Sequence, residues 1–383
     1  MLSKLRPVGE RFALKSAAAP DELFAPLHSF WCGSGTSALA LALHAAKLRS
    51  PDRSQVLVPA YTCPDVISAC LAAEVEPVLV DFAEESAGLS LAGVSQAINS
   101  KTLAIIAINF LGIPERIASL RELIDGSPIL IIEDSAQGIP RQNVAEYWQG
   151  DLITLSLGRG KPLNLFAGGA VLTRDASLQD ILQSITPQWH SGSALPYQIK
   201  YQLSQLLMRP LGFGLLNRIP GIEFGQTVFR PLPEVSAFPE YLSQYLALRL
   251  ADYQAIQSMA LVTEYREGIA QLSNQIMPLA GVVEHAENLL RMPLIVATPS
   301  LRDKIFSLLE AQGLGPSIMY RKTLTEFSDI PLSLGEASSF PNACKLAQRL
   351  LTLPLHRDVK PDAIKQMLAI IQQVTTSVPL ADK

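Results

Sequence analysis

Three short clusters in this chain carry residues able to do chemistry. Lys161 stands in SLGRGKPLNLFAGGAVLT (156–173), between two apolar runs and beside Gly160 and Pro162. A loop lysine is ordinarily solvated. Desolvated in a cleft beside a second cation, here Arg159, it gives up its proton more easily and becomes an amine nucleophile able to form a Schiff base with a carbonyl. The second cluster is ILIIEDSAQG (129–138), an apolar run that ends in Glu133 and Asp134 and continues to Gln137. A carboxylate buried there needs a partner. A protonated heterocyclic nitrogen of a cofactor, an arginine, or a ring of backbone amides would each serve. The third is Ser34-Gly35-Thr36 at the head of an Ala/Leu run, where unbonded N–H groups and the helix dipole favour an anion such as a phosphate. Ser and Thr are equally ordinary helix caps, so this cluster alone leaves both readings open.

These clusters need elements to position them. TSALALALHAAKL (36–48) is rich in strong helix formers and apolar nearly all round, which predicts a buried helix. Short Val/Ile/Leu runs near 55–59, 77–82, 102–108, 128–133, 152–156 and 169–173 read as strands. Helical stretches at 65–73, 91–99 and 114–124, the last with Pro114 at its first position, separate several of them. That alternation is the signature of a parallel sheet covered on both faces, whose ligands bind beyond the carboxyl ends of the strands. Glu133, Asp134 and Gln137 fall there. After Asp175 the pattern breaks into an irregular insertion, about 180–235, with many prolines. Within it Tyr197–Met208 is an amphipathic helix, expected to pack on the domain or on a partner subunit because its polar side has little Lys/Arg for anionic lipid. Glu240–Gln271 reads as one long helix. A strand in LLRMPLIVAT and helices in LRDKIFSLLEAQG and PDAIKQMLAIIQQV suggest a smaller closing α/β domain.

Composition narrows the function. The chain has 383 residues, 48% hydrophobic and 17% charged, with a net charge of -4. That length divides a core between two domains, here 1–255 and 256–383, and the low charge excludes disorder. With 31 Lys+Arg against 35 Asp+Glu and no basic block, nucleic acid is not an expected partner. The four cysteines make no CxxC pair and no metal-ligand spacing occurs, so no metal is expected and reduced thiols fit a cytoplasmic protein. The apolar runs at 102–113 and 127–134 fall well short of the roughly 20 residues that span a bilayer. No transmembrane segment is expected.

In this order the clusters resemble the fold-type I aminotransferases of the DegT/DnrJ/EryC1/StrS family, commonly called sugar aminotransferases. The matching segments are SGTSALALAL (34–43), VLVPAYTCPDV (56–66), EPVLVDF (76–82), INFLGIP (108–114), IIEDSAQG (131–138), SLGRGKPLNLFAGGAVLT (156–173) and FPNACKLAQRLLTLPLH (340–356). Lys161 lies five positions after Ser156, and the Gly168-Gly169 pair begins seven positions after Lys161. The resemblance implies a large domain with a mostly parallel seven-stranded sheet flanked by helices, plus a smaller C-terminal α/β domain. It implies pyridoxal 5'-phosphate as cofactor, held by Lys161 through a Schiff base. Asp134 would pair with the pyridine nitrogen and Gln137 would lie near the ring hydroxyl. Gly35, Thr36 and Ser156 would bind the phosphate, and Cys63 would occupy the position beside the ring. Tyr61, Tyr320 and His356 are the expected substrate-side residues. The implied reaction moves an amino group, from L-glutamate, onto a keto group of a nucleotide-activated deoxysugar by a ping-pong sequence, in a homodimer with shared active sites.

The pattern is departed from at several places. Cys63 stands where an aromatic residue is common, Asn109 where a histidine is usual, and Ala167 where a Glu often precedes the Gly-Gly pair. The family's Asn-Tyr-Arg-Met segment has no counterpart in FRPLPEVSAFP (229–239). Two rival readings follow: a member that lost catalysis and serves as a binding protein, or a related sugar dehydratase. In the dehydratases a histidine replaces the lysine, and Lys161 opposes that branch.

Overall fold

Residues 3–11, 23–141, 144–216, 227–255, 259–272 and 274–377 are described in a computed structural model of the chain. The first part runs β1 (His28–Cys32), α1 (Gly35–Arg49), β2 (Gln55–Pro59), α2 (Asp65–Ala72), β3 (Glu76–Val80), α3 (Leu91–Ala97), β4 (Thr102–Ile108), α4 (Ile117–Leu123), β5 (Leu130–Asp134), α5 (Val144–Tyr147), β6 (Leu152–Ser156) and β7 (Gly169–Thr173). It continues through α6 (Ala176–Ile185), α7 (Leu195–Leu207), α8 (Pro210–Leu216), α9 (Ser243–Gln254) and α10 (Met259–Ile269). The second part holds β8 (Ile276–Pro278), β9 (Arg291–Val296), α11 (Pro299–Ala311), α12 (Pro341–Arg349), β10 (Leu350–Pro354) and α13 (Pro361–Ser377).

The large sheet has seven strands in the order β1-β7-β6-β5-β4-β2-β3. Strands β3, β2, β4, β5 and β6 are mutually parallel, while β7 runs antiparallel to both β6 and β1. The central strands are buried along their length because helices cover both faces, which explains why they read as unbroken apolar runs. Helix α1 buries Ser37 through Leu43 with Ala45 and Ala46, against α2, α6, β6 and β7. Its small alanines let it lie close to the sheet. A three-stranded antiparallel sheet, β10-β9-β8, forms the second unit. One apolar core containing Phe110, Leu111, Leu289, Ile305 and Ile371 runs through both units.

Three expectations about elements are corrected. The strand β1 was not foreseen: HSFWC has no long apolar run, and its place is set by pairing with β7. Helix α4 starts at Ile117 rather than Pro114, because the backbone at Arg116 (φ -78°, ψ 66°) is not helical. The helix expected over 240–271 is two: α9 ends at Gln254, and α10 lies beyond 256–258, which are outside the described residues. The two halves serve different cores, Leu246, Leu250 and Tyr253 in one and Val262, Tyr265 and Ile269 in the other. In the insertion, residues 217–226 are outside the described residues. No helix among the described residues is long and apolar enough to cross a membrane.

Candidate active site

A cleft of about 500 Å³ opens at the carboxyl ends of the parallel strands, between the N-terminus of α1 and the loop that carries Tyr320. Seven residues expected to bind cofactor or do chemistry, Gly35, Thr36, Cys63, Asp134, Gln137, Ser156 and Lys161, line it, and so does Tyr320. They arrive on several elements: α1 begins with Gly35-Thr36, β5 ends in Asp134, β6 ends in Ser156, and Thr62-Cys63 follows β2.

The floor of the cleft suits an anion. Ser34 caps α1, its Oγ accepting the Ser37 N–H at 3.0 Å, so the capping reading holds for that residue. The first-turn amides of Gly35 and Thr36 have no carbonyl one turn back to receive them and lie at the cleft. Across from them the Ser156 hydroxyl accepts the Gly158 N–H at 3.3 Å. A Cβ added at Gly35 would stand 2.5 Å from Ser156 Cβ and 2.6 Å from its Oγ. Only glycine leaves this cradle open.

The wall of the cleft suits a cation-bearing ring. Strand alternation sends Asp134 into the cleft and Glu133 to the opposite face. Glu133 is buried there, accepting from Asn109 Nδ2 (2.9 Å) and from the Gln149 and Gly150 amides (both 2.8 Å). It belongs to the framework, and so does Asn109. Burial raises the Asp134 carboxyl above its ordinary range, opposed by the Ala136 amide (3.0 Å), the charge of Lys161 and the Thr154 hydroxyl. Its hydrogen bonds come from neutral donors, so a cationic N–H from a bound ring is the partner that would relieve the desolvation. Gln137 is fixed from two sides, Oε1 accepting the Leu111 N–H and Nε2 reaching the Tyr320 hydroxyl, both at 3.1 Å. The donor set therefore fits pyridoxal phosphate: an anion cradle, a carboxylate awaiting a cation, and an amine.

Cys63 keeps its proton. Burial, reinforced by the Asp65 charge, pushes its thiol up to about 12 despite Lys161 nearby. Two expected substrate residues are not in the cleft. Tyr61 is fully buried behind it, its hydroxyl donating to the Tyr320 carbonyl at 2.9 Å and its ring edge-on to that of Tyr320 at 5.4 Å. It supports Tyr320. His356 is buried with Nε2 at 2.9 Å from the Arg6 carbonyl, and burial depresses its pKa to about 3, so it tethers the N-terminal segment as a neutral ring. Arg230 and Asp65 line the cleft unforeseen, because the sequence around Arg230 lacks the family motif that would have marked it. Nearby, Ser236 bonds to Ser37, Oγ to Oγ at 2.9 Å and N to Oγ at 3.2 Å, pinning the 229–239 segment to the start of α1.

The sequence model of the DegT/DnrJ/EryC1/StrS aminotransferase family matches residues 21–200 and 247–372. The chain is 26% identical over 351 residues to the UDP-N-acetyl-3-dehydro-alpha-D-glucosamine 3-aminotransferase of Acidithiobacillus ferrooxidans, covering 90% of this chain and 84% of that protein. It is 27% identical over 361 residues to the dTDP-3-amino-3,4,6-trideoxy-alpha-D-glucose transaminase of Streptomyces venezuelae, covering 90% and 82%. Among solved structures, a Streptococcus pneumoniae protein in its PMP form superposes with a TM-score of 0.72 at 18% identity, covering 95% of this chain and 94% of that one. S. venezuelae DesV superposes with a TM-score of 0.68 at 23% identity, covering 90% and 84%.

Proposed function

Since the chain belongs to the DegT/DnrJ/EryC1/StrS aminotransferase family and is a pyridoxal-phosphate-dependent aminotransferase, we propose that it transfers an amino group from L-glutamate to a keto group of a nucleotide-activated deoxysugar. The observation that carries the reading is the convergence of Asp134, Lys161 and the α1 N-terminus on one cleft. The sugar class rests on what the two named relatives act on.

When bound, the cofactor supplies an electron sink for breaking a bond at the amine-bearing carbon. The protein's own residues do the rest. Gly35, Thr36 and Ser156 hold the phosphate. Asp134 keeps the ring nitrogen protonated, and Gln137 orients the ring hydroxyl. Lys161 would hold the cofactor at its amine, and that amine is the group placed to take up and return the donor α-proton. Tyr320, backed by Tyr61, closes the side of the cleft where Cys63 offers little face contact. Arg159 and Arg230 are the cations available to a donor carboxylate or to acceptor phosphates. Lys161 disfavours the dehydratase reading, and the intact set of Asp134, Gln137, Ser156 and Lys161 disfavours a silent binding protein. A homodimer belongs to the same reading, and sedimentation velocity tests it.

The experiment is an absorption spectrum of the purified protein, followed by borohydride reduction and peptide mapping. A yellow protein labelled on Lys161, bleached by L-glutamate and restored by a keto-sugar nucleotide, is the expected result. A protein that stays colourless with added cofactor overturns the enzyme reading. One that bleaches but accepts no keto sugar overturns only the substrate.

A further inference from the structure

Lys161 sits in a short loop whose backbone is held on both flanks. Its own N–H donates to the Gly158 carbonyl at 3.3 Å and closes a tight turn. Gly160, at φ +74°, takes the left-handed conformation that favours glycine, and Val8 of the N-terminal segment presses on it, its Cγ1 3.1 Å from where a Cβ would stand. On the other flank the Pro162 carbonyl accepts a hydrogen bond at 2.8 Å from Nη2 of Arg249, on α9. Proline has no N–H and a locked φ, so a grip on its carbonyl is passed through the ring to the Lys161–Pro162 peptide.

A buried cation at this place needs a reason. Arg249 is 1% exposed, on a helix face that otherwise buries Tyr245, Leu246, Leu250 and Tyr253. Burial brings its guanidinium down to about 10, so it stays charged at neutral pH at a cost in desolvation. Asp252 does not account for that cost: its Oδ2 lies 4.0 Å from Nη1, too long for a hydrogen bond, and Arg357 stands 3.6 Å from the same oxygen. A methionine would fill similar space without the desolvation. What the guanidinium adds is a charge-assisted hydrogen bond to the main chain one residue beyond the amine. Arg249 does not line the cleft, so it acts on Lys161 through the peptide and touches no reacting atom.

We propose that Arg249 is a positioning residue for Lys161: through the Pro162 carbonyl it fixes the loop so that the amine stays aimed into the cleft. The inference rests on the aminotransferase reading, which makes Lys161 the amine that captures the cofactor. A misplacement of about 1 Å at such a group costs on the order of 10²-fold in rate.

The test compares wild type with Arg249→Met, which keeps the apolar length and removes the donor, and Arg249→Lys, which keeps a cationic donor of shorter reach. Stripped protein is followed by hydrogen exchange with mass spectrometry and by its rate of capturing added pyridoxal phosphate. Loaded protein is bleached with L-glutamate, giving a limiting rate and a half-saturating concentration. Arg249→Met should melt near wild type, while amides within 157–166 exchange about tenfold faster and those of the sheet are unchanged. Capture should slow about tenfold, and the limiting rate should fall about tenfold to a hundredfold with little change in half-saturation. Arg249→Lys should lose only a few-fold in each rate. Wild-type capture and limiting rate in the methionine variant overturn the proposal, and so does a loss confined to half-saturation. If that variant does not fold, the same two rates at wild-type values in Arg249→Lys overturn it. A wild-type protein that borohydride never labels on Lys161 overturns the aminotransferase reading and this inference together, whereas a labelled wild type beside an unaffected variant overturns this inference alone.

Discussion

Asp134 is worth more to the loaded protein than to the empty one. Burial raises its carboxyl in the folded chain, so its ionised form costs stability once the pH rises above the unfolded carboxylate value of about 3.9. Without cofactor, Asp134→Asn should therefore melt higher than wild type at pH 7, and the two should converge near pH 3, as differential scanning calorimetry would reveal. With cofactor the sign reverses. The variant loses the charge that keeps the ring protonated, and turnover should fall on the order of 10²- to 10⁴-fold. Arg230 makes a separable case. If it meets a substrate anion, Arg230→Ala should raise one KM about tenfold to a hundredfold, the value of one to two charge-assisted hydrogen bonds, and leave the spectrum unchanged. Donor and acceptor KM values both unchanged from wild type would remove it from the site.

At the scale of elements, the junction of α1 with the sheet holds the phosphate end of the cleft. Gly35 faces Ser156, and a Cβ at Gly169 would run into the Ser34 carbonyl oxygen and the Gly35 amide. Gly35→Ala must push α1 from β6 by a few tenths of an ångström or more. Cofactor affinity should drop about tenfold or more while the fold persists, measured by titrating cofactor into the stripped protein. Gly169→Ala meets the Ser34–Gly35 peptide, backbone that cannot swing away. It should cost about 1–3 kcal/mol of stability in urea unfolding, the usual range for overpacking. The α1 motif was legible in SGTSALALAL because capping residues and helix formers act locally. The start of α4 was not, because the stretch just ahead of it is held from a distance, the Glu115 carboxylate accepting the Leu89 N–H at 2.7 Å.

Across the whole molecule, the ends of the chain are stitched together. Asp358 receives Arg11 at 2.6 Å and also Arg6, which is buried, while His356 beside it bonds to the Arg6 carbonyl. The two guanidiniums hold the Asp358 carboxyl well below its usual range. Stability from this cluster is present above pH of about 3.9 and is lost as the pH falls toward the depressed value. Asp358→Asn leaves Arg6 buried without its counter-ion and should cost about 3 kcal/mol at pH 7. That difference should shrink below pH 4 in denaturant melts. His356 illustrates how sequence reading misplaces a residue: its position in a closing motif suggested substrate, whereas the folded N-terminal segment occupies its ring nitrogen.

Six of the seven strands of the large sheet, the buried α1 and, through the family resemblance, the Asp134–Gln137–Ser156–Lys161 set were legible in the sequence, since apolar runs, helix formers and motif spacing are local properties that survive without a partner. Tertiary structure decided what depends on two distant segments meeting. Examples are β1 on the edge beside β7, the parting of α9 from α10 into separate cores, Tyr61 behind Tyr320, and Arg230 in the cleft. It also decided which side of α7 faces out. Tyrosine and leucine are both apolar in a helical pattern, and only the ring stack with Tyr241 and Tyr245 chose the tyrosines for the inside.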